Sequence, residues 1–422
     1  MESRVLAQRI ESVLRADGAR LLASLIRLAG SFDAAEDALQ ESCVRALEYW
    51  SRDGLPDNPG AWLNTVARRI VLDRKRGTQA LCLDDSRLPA DAEATDPAEL
   101  NASGIEDDRL RLLFTCCHPA LSVEARCALA LRSLGGLSTR EIARAFVESE
   151  STTAQRIVRA KHKIAAAGIA YEVPARAQLA QRLDAVLAVL YLIFNEGHIA
   201  TEAATLQRPD LCREAIRLAR LAAQLLPDQL EAQALLALML LTDARRAARI
   251  DPSGALIPLQ DQDRGRWNRA QMNAGLRLLD GALRRASTTA RAQPYVLQAA
   301  IAAVHASAES AAQTDWAQIA LLYQGLLRVS PSAVVELNAA VAHGMAHDVG
   351  AALTWIGRIE AGGELAHYHL LPAAKAELLR RSGHPQVALP EYREALARVR
   401  NLAERRYLQM RLHECVERTQ GC

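Results

Sequence analysis

Residues of the types that recognise nucleic acid occur in two places along the chain. Thr152, Thr153, Gln155 and Arg156 stand together, and hydroxyl, amide and guanidinium groups of this kind hydrogen-bond to base edges in a major groove. Arg159, Lys161 and Lys163 follow, and their cations suit phosphate oxygens. Upstream, Trp62 lies among Asn64, Thr65, Arg68 and Arg69, with Arg74-Lys75-Arg76 close behind. An indole off the core beside arginines can stack on an unpaired base while the cations hold phosphate. Each set also has a plain structural reading: a solvated basic face for the first, and an indole packed on the preceding helix for the second.

Other clusters suggest different chemistry. Cys116-Cys117-His118 has ligand types, but adjacent helical residues point about 100° apart and no second ligand pair is near, so no metal is expected. Asn195, Glu196 and His198 have the makings of a catalytic or metal set, and packing or turn roles are favoured for them. Asp261, Asp263, Arg264 and Trp267 follow a loop containing Pro258 and read as a capped helix start. No cofactor fingerprint is present, and no catalytic residue is assigned. The eight cysteines include no C-x-x-C and read as small buried apolar residues of a cytoplasmic protein. No run is long and apolar enough to span a bilayer, and Met1–Ala16 lacks an apolar signal core.

The elements that would position these residues are helices. Apolar residues make up 50% of the 422 positions but aromatics only 4%, with Ala, Leu and Arg prominent; this favours an all-α fold. Asp33 and Glu36 resemble a capping box opening a helix that runs to about Trp50, with Leu39, Cys43, Ala46, Leu47 and Trp50 on one face. Its other face carries Asp37, Gln40, Glu41 and Arg45. Asn58-Pro59 marks the next helix start, whose core stripe is Leu63, Val66, Ala67, Ile70 and Val71. Ser138 and Glu141 form a second capping box, with Ile142, Ala143 and Phe146 facing inward. A turn over Val147–Ser151 leads into a basic amphipathic helix from Thr152 to Ile164. Two short helices so joined predict a helix-turn-helix.

Charge is distributed unevenly. The net value is +2, yet residues 78–108 hold one Arg and nine acids, whereas residues 109–170 hold ten basic and four acidic side chains. An acidic linker before a basic helical unit points to nucleic acid at the latter. The expected domains are 1–77, the linker 78–105, 106–170, and a helical region 171–422. In the last, Gly383, Ala388, Tyr392 and Ala395 have the spacing of a tetratricopeptide (TPR) second helix and its preceding turn. Ala339–Ile359 is a weaker copy, and Leu211–Leu226 with Leu230–Arg249 is another expected pair.

Taken together, these segments resemble extracytoplasmic-function (ECF) RNA polymerase sigma factors. Phe32–Ser42 is similar to the family's polymerase-docking helix, which implies polymerase contacts at Asp37, Gln40, Glu41 and Arg45. Ala61–Arg76 is similar to the helix that recognises and melts the −10 element, implying roles for Trp62, Asn64, Thr65, Arg68 and Arg69; the loop 51–60 then sits where the family holds a flipped base. Thr139–Ile164 resembles the helix-turn-helix that reads the −35 element through Thr152, Thr153, Gln155, Arg156, Arg159, Lys161 and Lys163. Asp107–Pro119, Tyr191–Gly197 and Gln260–Trp267 resemble a subgroup with a long TPR-like extension and usually no obvious anti-sigma partner. Two positions depart from its pattern: Glu148, where an apolar turn residue is usual, and His198, where Tyr is usual.

The resemblance implies sigma domain 2, an acidic linker, sigma domain 4 and a helical extension that helps set activity. Core RNA polymerase and promoter DNA would be the partners, with an unknown peptide or small effector on the extension. No covalent chemistry is required. A one-component helix-turn-helix regulator is the alternative, and it has no need of the Asp37/Gln40/Glu41 face. An enzyme using Glu196 and His198, or a bare TPR scaffold, accounts for less of the chain.

Overall fold

The computed structural model describes residues 2–75, 105–145, 148–169, 171–172, 176–199, 207–286 and 294–420. Among them no strand occurs, and one isolated bridge pairs Ile250 with Leu256. The chain divides into two compact units, Met1–Ile193 and Phe194–Cys422.

The first unit begins with α1 (Glu2–Ala29), α2 (Phe32–Asp53) and α3 (Pro59–Lys75), each packed on the other two. The buried stripe of α2 is Phe32, Ala35, Ala38, Ser42, Ala46 and Trp50. Ala46 and Trp50 of the expected face belong to it, whereas Leu39, Cys43 and Leu47 of that face are only half-buried. Small residues are what a neighbouring helix can approach closely, and the buried Ser42 hydroxyl is satisfied by the Leu39 carbonyl at 2.6 Å. The expected linker falls outside the described residues as far as position 104.

The chain resumes with α4 (Ile105–Cys116), α5 (Val123–Ser133), α6 (Thr139–Ala145) and α7 (Glu150–Ala166). α4 packs on α1 and α5, while α5 and α6 both pack on α7. One buried carboxylate ties α4 to α1. Asp108, 1% exposed, accepts from Arg27 Nε at 3.0 Å and Arg111 Nη1 at 3.1 Å. Burial pushes its carboxyl up and the two guanidiniums pull it back. The Tyr171 hydroxyl closes the same junction, 2.7 Å from the Asp108 carbonyl and 3.1 Å from that of Ala23. The division between the units falls within α8 (Arg176–His198).

The second unit continues with α9 (Pro209–Leu225), α10 (Leu230–Asp243), α11 (Arg269–Ala286), α12 (Pro294–Ser307), α13 (Trp316–Val329), α14 (Ala333–Ala346), α15 (Val349–Gly362), α16 (Leu370–Arg381), α17 (Pro385–Arg398) and α18 (Leu402–Gln420). From α12 to α18 consecutive helices pack on each other, as tandem helical pairs do. α10 is apolar nearly all round because α9, α11 and α12 enclose it.

The TPR-like spacing lies on the α16–α17 pair. Gly383 takes φ +85° in the turn, a conformation that costs a glycine little. Ala388, Tyr392 and Ala395 are buried against Ala376, Leu379 and Val399. The weaker copy spans α14 and α15, where a Cβ on Gly344 would lie 2.8 Å from that of Ala352. Two boundaries differ from expectation. α10 ends at Asp243, followed by a 3-10 turn over Arg246–Ala248, rather than running to Arg249. Asp263 caps a 3-10 turn at Arg264–Arg266, while Asn268 caps α11, its Oδ1 accepting from Gln271 N at 3.1 Å.

Candidate nucleic-acid interface

The two candidate recognition helices are positioned by local chemistry. Asn58 caps α3, its Oδ1 accepting from Ala61 N at 3.0 Å, and Pro59 occupies the first turn. Ser138 and Glu141 make a reciprocal capping box on α6: Glu141 N donates to Ser138 Oγ at 3.2 Å, and Ser138 N to Glu141 Oε2 at 2.7 Å. Phe146 and Val147 lie outside the described residues. α7 starts two residues earlier than expected, at Glu150, because Ser149 is its cap and accepts from Thr152 N at 3.1 Å. Likewise α2 is capped by Ser31, which accepts from Ala34 N at 3.4 Å. The apparent capping box of Asp33 and Glu36 is therefore not the cap.

On α3 the expected core stripe is buried, and Trp62 joins it. The off-core placement of Trp62 is corrected: it is 1% exposed, with ring centroids 5.6 Å from Tyr49 and 5.5 Å from Trp50. An indole enclosed by two aromatic neighbours has no face left for a base. Asn64 and Thr65 are half-buried, and the Thr65 hydroxyl donates to the Ala61 carbonyl at 3.0 Å. Arg68 and Lys75 are exposed, and Arg69 is half-buried. On α2, Asp37 and Gln40 are exposed, while Glu41 bridges Arg45 and Arg74, the latter at 2.8 Å.

On α7 the buried stripe is Thr153, Ile157, Ala160 and Ile164. This leaves Thr152, Gln155, Arg159 and Lys163 exposed on the outer surface. Three predicted contact residues are placed differently. Thr153 is fully buried and donates its hydroxyl to Glu148 at 2.9 Å, so it faces the core rather than a groove. Arg156 forms an ion pair with the same carboxylate. Lys161 turns toward α2, where it meets Glu36 at 2.5 Å and Asp33 at 3.6 Å. The unusual Glu148 thus has a function in the fold, since it anchors the turn to α7 through both partners. Sequence reading missed the Lys161 and Asp108 contacts, which join residues 125 and 81 positions apart.

Cys116 and Cys117 are buried, and burial raises both thiols. The His118 Nδ1 accepts from Ala120 N at 3.2 Å. Asn195, Glu196 and His198 lie in the last turns of α8, with Glu196 buried. No helix among the described residues is long and apolar enough to cross a membrane.

Comparison with known proteins agrees with this arrangement. Residues 14–80 match Sigma-70 region 2, and residues 111–164 match Sigma-70 region 4. Residues 182–283 match a family of unknown function (DUF6596). An uncharacterised protein of Rhizobium meliloti (strain 1021) is 42% identical over 395 residues, covering 93% of this chain and 92% of its own length. The ECF RNA polymerase sigma factor SigL of Mycobacterium tuberculosis is 32% identical over 137 residues, which is 31% of this chain and 73% of SigL. No solved structure matches.

Proposed function

The chain belongs to the ECF sigma factors that carry a long C-terminal helical extension, and from that premise we propose that it docks on core RNA polymerase through α2, opens promoter DNA at α3 and reads a −35 element with α7. The observation that supports this most is the outer surface of α7. Thr152 and Gln155 are exposed there beside Arg159 and Lys163, so base-reading groups and phosphate-holding cations share one capped helix. Arg68 and Lys75 are the exposed cations available to the backbone at α3. On α2, Asp37 and Gln40 present free polar groups to a polymerase surface.

The extension sets sigma activity in this reading, through a peptide or small effector. Chemistry at a covalent bond is not needed, because flipped-base binding and phosphate contacts supply the energy of opening.

Run-off transcription with core polymerase and the full chain tests the proposal. A transcript from a cognate promoter that requires the protein is expected. Its absence, with an active control sigma, would sink the reading. Asp37→Arg tests the docking face more cleanly than a change at Glu41, whose carboxylate already holds Arg45 and Arg74. Undiminished co-purification of D37R with core polymerase would remove α2 from the contact.

A further inference from the structure

Two segments noted in the sequence but not used by the sigma reading converge inside the second unit. They are Phe194–His198 at the end of α8 and Gln260–Trp267 before α11. Arg249 Nη1 donates to the His198 carbonyl at 2.5 Å. Arg264 Nη1 donates to the carbonyls of His305 and Ala308 at 2.7 and 2.6 Å, and its guanidinium lies 4.7 Å from the Trp267 ring centroid. Both arginines are therefore held in place by neutral carbonyls.

Arg245, just beyond the end of α10, completes the group: the adjacent Ala244 carbonyl accepts from Asn268 N at 2.9 Å, and the turn Arg246–Ala248 packs on the turn Arg264–Arg266. Its charge acts on Arg249, His198 and His305, and that of Arg264 acts on it. The Arg245 side chain is half-buried, crowded by protein yet with surface left open to a small solute. Among the described residues it has no hydrogen-bond or ion-pair partner.

The nearby carboxylates do not answer it. Asp243 is committed to Arg246 and to Gln271 Nε2, the latter at 2.8 Å. Glu404 lies 3.4 Å from His369 Nε2. Both act on Arg249 rather than on Arg245. Burial and the neighbouring cations keep His198 and His305 neutral, so each imidazole retains one N–H donor. A partly desolvated guanidinium without a counter-charge is costly for a fold to keep, and its planar fork matches a carboxylate or phosphate with two parallel hydrogen bonds.

We propose that this recess, formed by Arg245, Arg249, Arg264, His198 and His305, binds a small anion bearing a carboxylate or phosphate group. Arg245 makes the forked contact, and the Arg249 and Arg264 charges add attraction from either side. The site stands independently of sigma activity, since its evidence lies wholly in the extension; within a sigma factor it would be where an effector acts.

The test is thermal melting and calorimetric titration of the full chain with inorganic phosphate and, separately, succinate, with chloride at matched ionic strength as reference. One of the two anions is expected to raise the melting temperature saturably, by about 3 °C or more well above its dissociation constant. R245M, which keeps the bulk and removes the charge, is expected to melt higher than the wild type without anion and to lose the response. R284M, at an exposed arginine paired with Asp280, should respond as the wild type does. Three outcomes overturn the proposal: no saturable rise with either anion, an equal rise in R245M, or an R245M that melts lower than the wild type, which would mean the chain supplies its own counter-charge.

Discussion

Lys161 of α7 donates to Glu36 of α2 at 2.5 Å, across 125 positions of sequence, with Asp33 3.6 Å from the same ammonium. The lysine side chain is only 11% exposed. A cation that the proposed reading gives to −35 phosphates is thus already paired with the helix it gives to polymerase, so in that reading DNA and α2 would compete for one charge. Converting Asp33 and Glu36 to Asn and Gln should strengthen binding of the full chain to a −35 duplex about two- to fivefold at low salt, the range expected for one partly exposed ion pair. The gain should shrink as salt screens the pair. Fluorescence anisotropy with a labelled duplex measures both, and equal affinities at low salt would show that no competition exists.

Glu148 offers a second way to alter the same surface. Its carboxylate accepts from the buried Thr153 hydroxyl and pairs with Arg156. Glu148→Gln keeps an acceptor for Thr153 and removes only the ion pair with Arg156, so stability should change by less than about 1 kcal/mol. Glu148→Leu orphans the Thr153 hydroxyl and should cost about 1–3 kcal/mol in urea denaturation. If both variants are equally stable, the turn does not depend on that hydrogen bond.

Trp62 separates a core role from a DNA role. Because its ring is enclosed by Tyr49 and Trp50, Trp62→Phe should retain promoter opening and lose about 1 kcal/mol of stability. Trp62→Ala should lose about 3–5 kcal/mol. Permanganate footprinting of the −10 region reports opening. A fully stable Trp62→Phe that no longer opens DNA would return the indole to the interface.

These cases show what was legible in the sequence. Where a few neighbouring residues decide the geometry, reading them was enough: Asn58-Pro59 opens α3, Ser138 and Glu141 cap α6, and Ala388, Tyr392 and Ala395 face the α16–α17 core. Where a distant partner decides, local pattern misled. Asp33 and Glu36 have capping spacing, but Ser31 takes the cap and Lys161 takes the carboxylates. Thr153 and Lys161 have the right types for DNA, yet Glu148 and α2 claim them. On α2 the expected face holds at Ala46 and Trp50 but not at Leu39, Cys43 and Leu47, because close helix contact selects the small Ala35, Ala38 and Ser42. The cationic recess was not legible at all, because Arg245, Arg249 and Arg264 belong to different turns and meet His198 and His305 only through the fold.

Those two histidines make the extension sensitive to acid. Burial first, then Arg245 and Arg264, lowers His305 from its ordinary value to about 4. Burial, then Arg249, Arg245 and Arg246, holds His198 well below the ordinary range. In both cases the folded state prefers the neutral ring while the unfolded chain takes up a proton near pH 6.5. The stabilisation is therefore complete above pH 6.5 and is lost as pH falls toward 4. The His305 and Trp316 rings form a T-shaped pair with centroids 5.2 Å apart, and the charged neighbours acting on His305 are cations, so no carboxylate offsets its protonation. His305→Gln should flatten the fall in stability between pH 6.5 and 5 by up to about 1.4 kcal/mol per pH unit, one proton's worth. Urea denaturation in chloride, free of phosphate and carboxylate buffers that could occupy the recess, measures this slope. Identical slopes for variant and wild type would mean that His305 does not stay neutral in the folded chain.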